Sequence, residues 1–256
     1  MKLLIDAGNT RIKWALADGE KWLCRGDVPT VRVGEFSQII GEQLAHLNPR
    51  ANMEVINQIW VSNVAGKEVS QNILDMVSGI SSRPHFVAAR DSQCGVKNGY
   101  STASQLGSDR WAALISAWNI VKGKCLVVNS GTATTVDALS GQGEFVGGLI
   151  LPGLELMLNS LVGATDQLKF AQGEYVPFPL NTADAVYSGA VQAICGAIER
   201  QYNLLDDDGA PLILGGGTAA LLQPYLAQKN FKVQPRVVEG LVLRGLLVIS
   251  QEANCS

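Results

Sequence analysis

Histidine is almost missing from this sequence: His46 and His85 are the two in 256 residues, and neither has a neighbour at ligand spacing. With no GxSxG elbow either, no Ser/His/Asp set is available for a hydrolase. Cysteine is sparse as well. Cys24, Cys94, Cys125, Cys195 and Cys255 are odd in number, scattered, and never spaced as CxxC. They read as reduced, mostly buried thiols of a reducing compartment. Neither sign of charge is in excess, with 20 Lys and Arg against 23 Asp and Glu and a net charge of −3. A nucleic-acid partner has no electrostatic basis, so any phosphate site must be built locally, from backbone N–H groups and a few cations. Long hydrophobic runs are absent. The most apolar stretch, Phe145 to Gly163, is broken by Pro152, Glu155, Asn159 and several glycines, which makes a poor membrane span. The opening MKLLI meets Asp6 too soon for a signal peptide, so a cytoplasmic location is expected. GxxxxGK(S/T) occurs nowhere, which excludes a Walker-type ATPase.

What is present begins with apolar residues, at 47% of the chain, enough for a sizeable core. The length fits one large or two small domains. An internal repeat favours two. Residues 2–16 read KLLIDAGNTRIKWAL and residues 125–139 read CLVVNSGTATTVDAL. Laid together, Asp6 faces Asn129, Gly8 faces Gly131, Asn9 faces Thr132 and Leu16 faces Leu139. Each copy is an apolar run, a small polar turn with Gly, and a second apolar run, which is a hairpin signal.

Strand-like and helix-like pieces alternate elsewhere. Gln58–Val64 reads as a strand entering a loop. Arg110–Val121 places Trp111, Leu114, Ile115 and Trp118 at helical spacing. Asp184–Leu204 carries Val186, Ala190, Ile194 and Ile198 on one stripe, with Asn181 or Thr182 as N-cap and Asp184 in the first turn. Leu212–Leu214 and Gly215-Gly216-Gly217 read as strand, tight turn and then helix. Trp14, Trp22, Trp60, Trp111 and Trp118 read as core, since no basic stripe runs beside them. The boundary falls near residues 117–124, giving domains 1–120 and 121–256. Two related α/β halves, each opened by a Gly-containing hairpin, suggest an actin-like (ribonuclease H-like) architecture with a nucleotide cleft between the domains. Each hairpin would present N–H groups to phosphate oxygens.

Each chemical candidate has a plainer reading beside it. Asp6 closes an apolar strand, where its carboxylate can hold Mg²⁺ directly or through water. Gly8 allows close backbone approach, and Asn9, Thr10 and Lys13 supply donors and a charge. The same DAGNT run is also an ordinary Asx-type turn. In LGSDRW, Asp109 and Arg110 lie where a Gly-containing loop enters a helix. A kinase needs a carboxylate for the attacking hydroxyl and a forked cation for its substrate. Helix capping by Ser108 or Asp109 also accounts for these residues, and chemistry alone favours it. LILGGGTAA matches GxGxxA loosely, and reads as a dinucleotide turn, a turn beside adenosine, or a plain strand-to-helix turn.

Taken in order, DAGNT with Lys13, Tyr100 before LGSDRW, GTATTVD, GGLILPG and LILGGG resemble the type III pantothenate kinases over nearly the whole chain. LG-x-DR with GTA-x-T-x-D is the specific pair, since actin-like kinases at large share only the phosphate hairpins. The resemblance implies a homodimer that phosphorylates pantothenate with ATP, the first step of coenzyme A synthesis. It implies that Asp6, Ala7, Gly8, Asn9, Thr10, Arg11, Ile12 and Lys13 hold ATP phosphates, with magnesium at Asp6. Thr132 would touch the nucleotide from the second hairpin. Asp109 would be the proton acceptor, while Tyr100, Gly107, Ser108, Asp109, Arg110 and Thr182 would line the pantothenate pocket.

Two positions depart from the family pattern. Asn129 stands where many members carry an Asp that ligates a monovalent cation, K⁺ or NH₄⁺. Asn keeps the oxygen ligand and loses the charge. Ala103 stands where proline is frequent, which bears on loop stiffness more than chemistry. The rival readings are another actin-like small-molecule kinase, a phosphohydrolase, or a non-catalytic regulator on the same fold.

Overall fold

The computed structural model describes residues 1–47, 55–78, 83–164, 173–227 and 234–253. The chain forms two compact units, Met1–Asn119 with Val242–Ser256, and Ile120–Leu241.

The first unit begins with strands β1 (Lys2–Ala7), β2 (Arg11–Asp18) and β3 (Lys21–Pro29). A 3-10 turn (Thr30–Glu35) leads to helix α1 (Phe36–Leu47). Strand β4 (Gln58–Asn63), helix α2 (Lys67–Met76) and strand β5 (Pro84–Phe86) follow. The sheet order is β3-β2-β1-β4-β5, with the first three strands antiparallel and β1, β4 and β5 parallel. The period-two alternation of the hairpin explains its packing. Leu3, Ile5, Ala7, Ile12, Trp14 and Leu16 all join one core cluster with Phe36, Ile40 and Leu44 of α1 and Val69 and Ile73 of α2. Trp14 meets Phe36 edge-on, with ring centroids 6.2 Å apart. Each such side chain, fully buried, contributes about 1.5–3 kcal/mol. A short hairpin, β6 (Ser92–Gln93) and β7 (Val96–Lys97), turns through Cys94 and Gly95, both at positive φ. Helix α3 (Ser108–Val121) is buried from Arg110 through Ala117, on every side, so periodicity alone understates its burial.

The second unit repeats the plan. Strands β8 (Cys125–Ser130), β9 (Ala133–Leu139) and β10 (Phe145–Pro152) are antiparallel neighbours. Helices α4 (Leu154–Ala164) and α5 (Thr182–Leu204), strand β11 (Leu212–Gly215), helix α6 (Ala219–Ala227) and strand β12 (Arg236–Val237) complete it. The order β10-β9-β8-β11-β12, with β8, β11 and β12 parallel, matches the first sheet strand for strand. Even the irregularities coincide. The β2–β3 ladder carries its bulge at Leu23, and the β9–β10 ladder carries one at the equivalent Val146. Leu126, Val128 and Val136 pack on Val191, Ile194 and Ile198 of α5 and Leu222 and Leu226 of α6.

The register corrects one pairing of the repeat. Asp6 faces Lys13 and Asn129 faces Thr135, so the second strands correspond at an offset one smaller than the first strands do. Leu16 is matched by Ala138, not Leu139, because the second turn is one residue shorter. The last helix, α7 (Leu241–Glu252), also differs from the expected grouping of residues 121–256. From Val242 onward it packs in the first unit. Gly245 lies against the Ala112 carbonyl so closely that no Cβ would fit, and Lys2 Nζ donates to Ser250 Oγ at 2.8 Å. Of the tryptophans, Trp14, Trp60 and Trp111 are buried, while Trp22 and Trp118 are half-buried. Among the described residues, no helix is long and apolar enough to cross a membrane.

Candidate active site

The first hairpin turns tightly after Ala7. The Gly8 N–H donates to the Arg11 carbonyl at 3.1 Å, and Thr30 Oγ1 donates to the Gly8 carbonyl at 2.8 Å. Asn9, Thr10 and Arg11 are thereby held at the exposed tip. Ala7 and Ile12 are buried in the core, so only their backbone is available to a ligand. The Arg11 guanidinium forks onto the Asp27 carboxylate.

One row of polar residues crosses the sheet beside this turn. Asp27 on β3 faces Lys13 on β2, Lys13 faces Asp6 on β1, and Asp6 faces Ser62 on β4. The opposite face of each strand feeds the core, so these four positions share the face away from it. Removal from water pushes the Asp6 carboxyl up to about 7, with Lys13 opposing the rise and Asp109 reinforcing it. A carboxylate in that state gains most from an arriving cation.

Asp109 lies in the first turn of α3. The Trp111 N–H donates to the Gly107 carbonyl at 2.9 Å, so the helix is opened by Gly107 rather than capped by Ser108 or Asp109. Asp109 Oδ1 accepts from the Arg110 N–H at 2.8 Å. A Cβ at Gly107 would come 2.6 Å from Asp109 Oδ1, so a larger residue there would turn that carboxylate aside. Arg110 is buried and donates through Nη1 to Tyr100 Oη at 3.0 Å. Asn98 shapes the loop that holds Tyr100, accepting from its N–H at 3.0 Å and donating to the Ala103 carbonyl at 3.2 Å. Ser108 Oγ, in contrast, is turned inward onto Ser62 Oγ at 2.9 Å.

The second hairpin is braced from two sides. Gly153 donates to the Thr132 carbonyl at 2.8 Å and leaves no room for a Cβ against Gly131. Gly216, at φ 92°, lies equally close to Ser130. Thr218 Oγ1 meets Ser130 Oγ at 2.7 Å, and Ser130 Oγ meets Thr134 Oγ1 at 2.8 Å. The Gly-rich LILGGG run is therefore the β11-to-α6 turn, and it buttresses the hairpin that carries Asn129 and Thr132. Asn129 is half-buried, opposite Thr135. Thr182 is the first helical residue of α5, exposed, with Asn181 as the N-cap accepting from the Asp184 N–H at 3.0 Å.

The structure thus brings together Asp6, Gly8, Lys13, Tyr100, Gly107, Asp109 and Arg110 in the first unit. Asn129, Thr132 and Thr182 belong to the second. Sequence reading missed Ser62, Asn98, Gly153 and Thr218. Ser62 carries no local signal, since its partner Ser108 lies 46 residues away, and Asn98 bonds within an irregular loop that no periodic pattern marks. Gly153 follows a proline in GGLILPG, a signal for a turn but not for what packs on it. Among the described residues no cluster of three or more His, Cys, Asp or Glu is placed to hold a metal.

A family model described as type III pantothenate kinase matches residues 2–204. A type III pantothenate kinase of Aromatoleum aromaticum is 43% identical over 253 residues, covering 98% of each chain. Among solved structures, a Campylobacter jejuni protein described as a Baf family transcriptional activator superposes with a TM-score of 0.59 at 21% identity, over 98% of this chain and 99% of that one. A Sinorhizobium meliloti protein described as a 2-dehydro-3-deoxygalactonokinase gives 0.57 at 13% identity, over 99% of each. These likenesses show the fold alone, two related α/β units of the actin-like architecture.

Proposed function

The chain belongs to the type III pantothenate kinase family, and from that premise we propose that it transfers the γ-phosphoryl group of ATP to the primary hydroxyl of pantothenate. The product is 4′-phosphopantothenate, the first intermediate toward coenzyme A. The observation that carries the reading is the placement of Asp109 at the opening of α3, near the Asp6 end of the first hairpin and beside buried Arg110.

In this reading the hairpin tip at Gly8–Arg11 and Lys13 binds the ATP phosphates through N–H groups and charge. Asp6 would hold magnesium, directly or through water, and that ion would supply positive charge beside the phosphate oxygens. Arg110, oriented by Tyr100, fixes pantothenate through the fork of its guanidinium. Gly107 adds a further pantothenate contact from the same turn. Asp109 orients the hydroxyl. As its oxygen bonds to the γ-phosphorus, the bond to the β,γ-bridging oxygen breaks, ADP departs, and the hydroxyl proton passes to the Asp109 carboxylate. A carboxylate is a weak base, so positioning contributes more than proton abstraction.

A monovalent cation at Asn129 would meet an amide oxygen in place of a carboxylate, so weak K⁺ or NH₄⁺ binding is the expectation. The protein acts as a homodimer. Val146 and Ile150 on edge strand β10, with Leu156 and Leu161 on α4, expose apolar side chains that a second copy can cover. Among the described residues Cys24, Cys94, Cys125 and Cys195 are thiols outside any disulfide, which accords with a cytoplasmic enzyme. Incubation with ATP, Mg²⁺ and pantothenate should yield phosphopantothenate by mass detection. Absence of that product across K⁺, NH₄⁺ and Na⁺ conditions would return the assignment to the wider group of actin-like kinases.

A further inference from the structure

Ser62 and Ser108 form a pair that the proposed chemistry does not use. Ser62 is fully buried on β4 and Ser108 is buried at the first position of α3. Their hydroxyl oxygens lie 2.9 Å apart, the one side-chain hydrogen bond recorded for either residue among the described residues. Each end of this bond abuts a carboxylate. Ser62 is the direct β-ladder neighbour of Asp6, and Ser108 precedes Asp109 in the helix turn. Asp109 is close enough to Asp6 to act on it electrostatically.

We propose that Ser62 is a positioning residue: its hydroxyl bridge to Ser108 fixes where the first turn of α3 presents Asp109 relative to the Asp6 end of β1. The physical basis is the contrast between the two ends. Strand β4 is locked into the sheet by paired hydrogen bonds to β1, from Gln58 to Asn63. The first turn of a helix has no such lattice, because its leading N–H groups lack intrahelical partners. A buried hydroxyl pair ties the less constrained element to the more constrained one, and breaking it from either side leaves an unsatisfied buried group. Two hydroxyls also carry two protons, and their mutual bond uses one. Ser108 therefore acts here as a strut, and the pantothenate contacts in this turn fall to its backbone and to its neighbours.

The inference rests on Asp109 being the proton acceptor, and the test separates the two claims. Ser62→Ala, Ser108→Ala and the double variant are compared with Asp109→Asn in steady-state assays, with ATP and pantothenate varied independently. Ser108→Ala reads the same bond from the tolerant helix end should Ser62→Ala fold poorly. A small shift of a reacting group costs on the order of 10–100-fold. The expected result is a kcat loss of that size in each single variant, nearly unchanged KM for ATP, and a double variant no worse than the singles. Ser62→Thr, which keeps the hydroxyl, should recover much of the rate. Wild-type kcat in both single variants, with only a lower Tm, overturns the positioning role and leaves Asp109 standing. Additive losses in the double variant also overturn it, since the two hydroxyls would then act separately. Wild-type turnover in Asp109→Asn overturns both claims.

Discussion

Asp6 and Lys13 stand directly opposite each other in the β1–β2 ladder, and the equivalent pair in the second half is Asn129 and Thr135. One hairpin thus carries a carboxylate and an ammonium where the other carries an amide and a hydroxyl. The duplicated fold has kept its geometry and divided its chemistry. The charged copy offers full charges to a ligand, and the neutral copy offers dipoles only.

The Asp6 carboxyl sets a pH dependence for the ligand-free protein. Its value is about 7 in the folded state against about 3.9 unfolded. The folded chain therefore binds this proton more tightly. The associated stability is complete below about pH 4 and is lost as pH rises toward 7. At pH 8 the charged group costs up to about 4 kcal/mol. Asp6→Asn should raise the apo Tm at pH 8 and flatten the Tm profile between pH 5 and pH 8. Thermal melts in buffers without ATP or Mg²⁺ check this. Identical profiles for the two proteins would contradict it.

Tyr100 accepts a hydrogen bond from buried Arg110. Phenylalanine removes that acceptor and leaves the guanidinium less well oriented. A bond to a charged group is worth about 1.5–3 kcal/mol, so Tyr100→Phe should raise the pantothenate KM roughly 10-fold or more. The ATP KM should hardly move, since Tyr100 is not placed on the phosphate hairpin. Initial-rate assays with each substrate varied will distinguish the two.

The braces on the second hairpin are glycines that cannot be replaced. Gly153→Ala and Gly216→Ala each drive a methyl group into backbone of the 130–132 turn, and Gly216 adds strain at φ 92°. Each should cost about 2–4 kcal/mol. Gly217→Ala, where nothing lies within 4 Å of the added Cβ, should cost much less. Urea melts of the three variants test the ranking.

Much of this was readable in the sequence, and what escaped it had physical reasons. The duplicated hairpin, the α3 and α5 segments and the β11 turn follow from local pattern and turn chemistry. The one-residue difference between the turns does not, because Leu16 and Leu139 are chemically alike and hide the slip. The matching strand order is a long-range property that no local run encodes. The Ser62–Ser108 bond joins positions 46 residues apart through small polar residues, which carry no periodic signal. Asp109 read alone as a helix cap, and it is the Gly107 carbonyl in the structure that opens the helix instead.

Thiol chemistry offers an independent check on the core. Burial pushes the Cys125 thiol up to about 12, so at pH 8 it remains protonated and unreactive. A disulfide reagent should leave Cys125 unmodified in the native protein and label it after denaturation. Peptide mapping of the labelled chain reads this directly. Rapid native labelling of Cys125 would mean that the β8 strand is open to solvent.

Asp109 is proposed to act on a bound pantothenate hydroxyl, and kcat of Asp109→Asn with pantothenate, paired with the ATP dissociation constant of the same variant, tests this. A fall of roughly 10²–10⁴ in kcat is expected, with ATP affinity within about twofold of the parent, the size typical for loss of a general base. Turnover near the parent value, or a rate loss explained by lost ATP binding, would contradict it.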